Sequence, residues 1–235
     1  MALQITTEKN KKLKIMNTAN NLDKVLCEGL PEPLPQTSGF LFLISGPSGS
    51  GKTTLMTSIM SAHKKSGIRQ SYRKVFDNIL ICSPTLGQGK SAKKDVFRDI
   101  PSDQKWKEFN LQTMDEIMLK KTAGAEKKLV SFLQNRRHLF CSCFILVQKF
   151  KDMPTGIRNN ASHFVTFRPK NQLEQESICS EMMPFGRKHW QQIMDYCFEN
   201  DDRFSFLMID MSLRNTNKFL YYKKFDKMLI NETEE

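Results

Sequence analysis

The sequence predicts an α/β domain with a mostly parallel central sheet layered by helices, and three observations lead there. Short runs that are apolar at successive positions recur along the chain, among them Phe40-Leu41-Phe42-Leu43-Ile44, residues 78–83 and residues 141–147. A strand apolar on both faces belongs in a parallel sheet covered on both sides. Stretches with helical spacing alternate with these runs. The first run passes directly into Gly46-Pro47-Ser48-Gly49-Ser50-Gly51-Lys52-Thr53, which meets the pattern G-x-x-x-x-G-K-[ST] at every fixed position.

Residues 1–38 read as an N-terminal extension, partly flexible, that ends in the stiff lead-in Pro31-Glu32-Pro33-Leu34-Pro35. Residues 39–235 form the domain, with a core at 39–168 and a helix-and-strand extension at 169–235. Residues 40–44 open it as a strand, and 53–62 follow as a helix. Residues 78–83 make a second strand, stopped by Pro84, and the polar stretch 84–107 with Gly87 and Gly89 is a loop with room for a short helix. Residues 109–114 read ambiguously as a strand running into Asp115-Glu116. Residues 122–135 are a helix, with Ala125, Leu129, Phe132 and Leu133 on one face. Residues 141–147 form the most apolar late strand and end at Gln148. Residues 154–160 make a helical turn and 164–167 a strand. Two helical segments at 170–200 are broken at Pro184 and Gly186, and strands at 204–209 and 218–222 close the chain as a hairpin-like edge. Ligands of such sheets sit beyond the C-terminal ends of the strands. Gly46, Ser83, Asp115 and Gln148 all fall at such ends.

Strand, glycine loop and helix together make a phosphate cradle. The glycines let successive backbone N–H groups curl around an anion without a Cβ in the way, and the helix N-terminus adds partial positive charge. Lys52 supplies a mobile cation for the outer phosphates. Thr53 offers a hydroxyl to Mg²⁺, and Thr54 extends the same turn. Hydrolysis further requires a metal-ordering acid and a group that orients water. Asp115 can hold Mg²⁺ through its water shell, and Glu116 beside it can polarise the attacking water. The residues before them, Leu111-Gln112-Thr113-Met114, are more polar than a buried strand requires. The alternative reading of the acids is the first turn of a surface helix. Gln148 is placed to touch a terminal phosphate or the lytic water, or else is an ordinary strand-end glutamine. Arg136, Arg137 and Arg158 are candidates for a guanidinium reaching a neighbouring subunit's nucleotide; the alternative for any one of them is a solvated surface charge.

The chain of 235 residues carries a net charge of +11 and a pI of about 9.4. That surplus points to a polyanionic partner, with nucleic acid the commonest, against the plainer reading of a merely basic surface. No apolar stretch approaches the ~20 residues that span a bilayer. Residues 1–14 lack the apolar stretch of a secretory signal, so an intracellular, non-secreted protein is expected. The six cysteines form no C-x-x-C pair; Cys82, Cys141 and Cys143 lie in apolar runs and read as reduced core residues.

Residues 40–167 as a set resemble the viral DNA-packaging ATPases of the FtsK–HerA group, found in poxvirus-like large DNA viruses, virophages and polinton-type elements. The likeness is carried by the loop from Gly46 to Thr53, by Ser83-Pro84-Thr85, and by Asp115-Glu116-Ile117-Met118. Asn135-Arg136-Arg137-His138-Leu139 and Val147-Gln148 add to it. The most specific piece is Pro154-x-x-Ile157-Arg158-Asn159-Asn160-Ala161-Ser162-His163-Phe164. The resemblance implies a three-layer, RecA-like P-loop NTPase. It implies a homo-oligomeric ring that hydrolyses ATP with Mg²⁺ and translocates double-stranded DNA into a viral capsid, in the host cell during virus assembly. It assigns phosphate binding to Lys52 and Thr53, metal and water to Asp115 and Glu116, and sensing to Gln148. The polar residues before Asp115 depart from the family pattern. The loop also resembles that of guanylate kinases, but those need arginines soon after the second strand, and Ser83-Pro84-Thr85-Leu86-Gly87-Gln88-Gly89 has none. A nucleotide-binding scaffold with a degenerate acid strand is the third reading.

Overall fold

A computed structural model describes residues 25–26, 29–61, 71–83, 100–108, 125–199, 202–212 and 219–230. The first strand, β1 (Leu41–Ser45), leads through the glycine loop into α1 (Lys52–Ser61). Two short strands follow, β2 (Ile81–Cys82) and β3 (Lys105–Trp106), then α2 (Ala125–Asn135), β4 (Cys143–Val147), the single turn α3 (Thr155–Arg158) and β5 (His163–Phe167). The C-terminal part contributes α4 (Gln172–Met182), α5 (Arg187–Phe198), β6 (Phe206–Asp210), β7 (Leu220–Lys223) and β8 (Asp226–Lys227).

The main sheet has six strands in the order β4-β1-β5-β6-β7-β8. Its half around β1 is parallel, with Leu41 opposite Cys143 on one side and Phe42 opposite His163 on the other. From β5 outward the ladders are antiparallel, so the closing strands do form the expected hairpin edge, extended by β8. β2 does not join this sheet. Among the described residues it pairs in parallel with β3 in a two-stranded sheet, and Cys82 is exposed there rather than a core residue. Ser83 therefore ends a strand of the small sheet and does not share the main sheet's rim.

Side-chain alternation along the central strands feeds two cores, one on each face. Leu41, Leu43, Phe164, Leu207 and Ile209 pack with Leu133 of α2, Ile178 and Met182 of α4, and Ile193 and Phe198 of α5. Phe42, Ile44, Val165 and Met208 pack on the other face with Leu55, Ile59 and Met60 of α1. The result is three layers. α4 starts where the Asn171 side chain accepts the Glu174 N–H at 2.9 Å, an N-cap that satisfies one of the helix's orphan donors. Glu174 in turn accepts the Phe150 N–H at 3.1 Å, fastening the helix to the chain after β4.

The proline-rich lead-in is built into the domain. Leu30 and Leu34 are buried in the same core as α1, Val25 bridges Thr37, and the Tyr72 hydroxyl donates to the Pro35 carbonyl at 2.8 Å. No helix among the described residues is long and apolar enough to cross a membrane.

Leu43 is 0% exposed at the middle of β1, where truncation leaves a void that the flanking strands cannot fill. Leu43→Ala is expected to lower the unfolding free energy by about 2–5 kcal/mol in urea denaturation; a loss well below about 1 kcal/mol would contradict this packing.

Candidate active site

The glycine loop turns over the rim of the main sheet where β1 meets both parallel neighbours. Ser45 stands opposite Val147 of β4 and Thr166 of β5, and the Gly46 N–H donates to the Val147 carbonyl at 3.3 Å. Two glycines are required by geometry as well as by conformation. A Cβ on Gly46 would meet the Phe167 Cβ at 2.8 Å, and one on Gly51, at φ +105°, would meet the Phe204 ring at 3.1 Å. The loop therefore rests against aromatic rings from the strand end beside it and from the turn before β6.

Within the loop, the Ser50 N–H donates to the Pro47 carbonyl at 3.2 Å, and the Leu55 N–H to the Gly51 carbonyl at 2.8 Å as α1 begins. Lys52 folds back over the loop. Its Nζ donates to the Gly46 carbonyl at 2.6 Å and to the Pro47 carbonyl at 2.9 Å. Partial burial holds its pKa below the ordinary lysine value, because desolvation disfavours the charged form. An anion in the cradle would offer this ammonium a stronger acceptor than a neutral carbonyl. Ser48 and Gly49 are exposed at the loop's tip, Pro47 is half-buried, and Thr53 and Thr54 are exposed at the first turn of α1. The Ser45 and Ser50 hydroxyls are buried and meet no partner among the described residues.

Gln148 follows β4 and is exposed, one residue beyond the carbonyl that accepts from Gly46. The strand register thus brings Gln148 and the glycine loop to one rim. Asp115 and Glu116 lie outside the described residues. Among the described residues no group of three or more His, Cys, Asp or Glu side chains is arranged to hold a metal ion. Thr53, exposed at the helix start, carries a hydroxyl of the hard-oxygen kind that suits Mg²⁺.

The three arginines occupy other places. Arg158, one of three candidates for reaching a neighbouring subunit's nucleotide, is buried and places its donors inside the chain. Its Nε donates to Glu181 at 2.7 Å and an Nη to the other Glu181 oxygen at 3.1 Å. Further bonds reach Thr155 at 3.1 Å and the Met153 carbonyl, and the guanidinium lies 4.9 Å from the Phe150 ring centroid. This arginine clamps α3 to α4. Arg136 is also buried, donating to the Leu133 carbonyl at 2.6 Å and the Asn160 carbonyl at 2.8 Å; burial and the neighbouring Arg137 push its pKa down. Arg137 is exposed, but it precedes β4 and so lies at the end of the sheet away from the glycine loop.

Sequence reasoning missed the turn before β6. Because β6 runs antiparallel to β5, this turn returns to the rim, and Phe204 and Arg203 stand against Gly51 and Gly49. No local motif marks them, since the contact depends on a strand reversal far along the chain.

Residues 89–235 match the family model described as Poxvirus A32 protein, and residues 19–142 match the NB-ARC domain. No curated protein sequence matches the chain. Among solved structures, the chain is similar to the genome packaging NTPase B204 from Sulfolobus turreted icosahedral virus 2 in complex with ATP-gammaS. The identity is 14%, with 79% of this chain and 97% of that chain covered and a TM-score of 0.47. The sulfate complex of the same protein gives 14% identity, 78% and 96% coverage and a TM-score of 0.49. The DNA-packaging ATPase B204 from Sulfolobus turreted icosahedral virus gives 15% identity, 79% and 98% coverage and a TM-score of 0.41.

The Arg158 clamp generates a prediction that separates structure from catalysis. Arg158→Ala removes the hydrogen bonds to Glu181, Thr155 and the Met153 carbonyl and is expected to cost about 1–3 kcal/mol of stability, while the nucleotide affinity of the folded protein stays within error of the parent. A stable Arg158→Ala protein with lost hydrolysis would return this arginine to the reaction.

Proposed function

This chain belongs to the Poxvirus A32 protein family, and we propose that it is an ATP-hydrolysing motor that translocates double-stranded DNA, packaging a viral genome into a capsid. Residues 19–142 belong equally to the NB-ARC domain family, and that span holds the whole glycine loop. The observation that carries the reading is the position of Lys52, bridged to the Gly46 and Pro47 carbonyls at 2.6 and 2.9 Å on the rim where β4 delivers Gln148. A cation parked on neutral acceptors inside a glycine loop is ready to transfer to phosphate oxygens.

In this reading the backbone from Gly46 to Gly51 wraps the phosphates of ATP, Lys52 neutralises the outer ones, and Thr53 and Thr54 close the turn. Thr53 and Asp115 hold Mg²⁺, whose chemistry when bound is to screen the charge on the phosphates. Glu116 takes the proton of the attacking water, and Gln148 orients that water and registers the terminal phosphate. The roles of Asp115 and Glu116 rest on their order in the chain and on the family resemblance. The net charge of +11 supplies a surface that grips the DNA backbone without reading bases. A motor of this kind works as a ring of identical subunits against capsid proteins, inside the infected cell.

Lys52→Ala is expected to reduce ATP hydrolysis by about two orders of magnitude or more, and Glu116→Gln to stop turnover while nucleotide affinity persists. Unchanged turnover in Lys52→Ala would remove the phosphate assignment; unchanged turnover in Glu116→Gln would move the water-activating group elsewhere. Duplex DNA affinity is expected to fall roughly a thousandfold between about 50 and 200 mM salt, read by fluorescence anisotropy, and a flat salt response would contradict a backbone grip.

A further inference from the structure

The turn between α5 and β6 brings a second cation to the glycine loop. A Cβ on Gly49 would lie 2.8 Å from an Nη of Arg203, so the guanidinium rests on the exposed tip of the loop. Gly49 sits at φ +75°, left-handed backbone that favours glycine. Arg203 is exposed, and among the described residues no carboxylate lies in ion-pair contact with it. Its neighbours are otherwise engaged. Asp202 pairs with Lys224 at 2.7 Å and accepts the Phe204 N–H at 2.9 Å.

The turn that carries Arg203 is anchored from several sides. The Ser205 hydroxyl donates to the Cys197 carbonyl at the end of α5 at 2.8 Å. The Ser205 N–H donates to the Asp202 carbonyl at 2.9 Å. The Phe204 ring stands against Gly51, with the Arg203 guanidinium 5.8 Å from its centroid. The anchored turn fixes where the side chain leaves the backbone, and a planar guanidinium offers paired donors that match two phosphate oxygens. Lys52 meets the loop from within, whereas Arg203 meets it from outside.

We propose that Arg203 is a phosphate clamp acting within its own subunit, closing from the β6 side on the phosphates of the nucleotide held by the glycine loop. The inference rests on the nucleotide reading above and names a residue that reading does not use. It places the clamp in the same chain as the loop, so the phosphate contact forms in a single subunit.

The test measures binding of a fluorescent ATP analogue, and its displacement by inorganic tripolyphosphate, to the parent, Arg203→Ala, Arg203→Lys and Lys52→Ala proteins. Arg203→Ala is expected to weaken both ligands by roughly 10- to 100-fold with an unchanged melting temperature, and Arg203→Lys to recover part of the loss. Equal affinity of Arg203→Ala and parent for both ligands would overturn the clamp while leaving the nucleotide reading intact. Loss of the ATP analogue with tripolyphosphate unaffected would assign Arg203 to the base or sugar and equally overturn it. Loss of duplex DNA affinity in Arg203→Ala, read by fluorescence anisotropy, with both phosphate ligands bound as in the parent would make it a DNA contact and overturn the clamp. A parent protein that binds neither ligand would remove the nucleotide reading, and the clamp with it.

Discussion

Strand β1 has neither an exposed face nor a free edge, and the rest of the molecule is organised around that enclosure. Leu41, Phe42, Leu43 and Ile44 are each 0% exposed, their side chains divide between two cores, and parallel partners take both sets of backbone hydrogen bonds. A strand so enclosed leaves the sheet only along its own direction. At Gly46 a side chain would strike Phe167, so the exit itself demands glycine. The loop that follows is presented where three parallel strands, β4, β1 and β5, end together. Charge accumulates there because α1 starts there and Lys52 folds over it.

The C-terminal half supplies more than a cover for the sheet. Reversal at β6 returns the chain to the same rim, placing Phe204 and Arg203 against the glycine loop. The hairpin formed with β7 holds that turn through Lys224 and Asp202. The parallel half thus builds the cradle, and the antiparallel half brings side chains against its open side. Arg158 links the helices behind these strands, where its ion pair with Glu181 joins the segment after β4 to the helical layer.

What was legible in the sequence was local. The run before Gly46 and the glycine spacing are contiguous, so the strand, loop and first helix could be read directly, and the apolar run ending at Gln148 announced β4. Long-range matters were not legible. Cys82 sits in an apolar run, yet among the described residues β2 pairs with β3, and Cys82 is exposed. Arg158 lies in the most family-like segment, but its burial depends on Glu181 in a helix that follows later in the chain. Arg203 belongs to no motif because its partner, Gly49, is brought near only by the antiparallel turn. The proline-rich lead-in looked like an appendage because its contacts, such as Tyr72 with Pro35, are made by residues well downstream. Asp115 and Glu116 fall outside the described residues.

The central claim is that chemistry at this rim drives movement along a duplex. Displacement of a fluorescent third strand from a DNA triplex by the purified protein tests it most directly. The account predicts displacement that requires ATP and disappears with a non-hydrolysable analogue. Steady ATP hydrolysis on duplex DNA with the third strand left in place would contradict it.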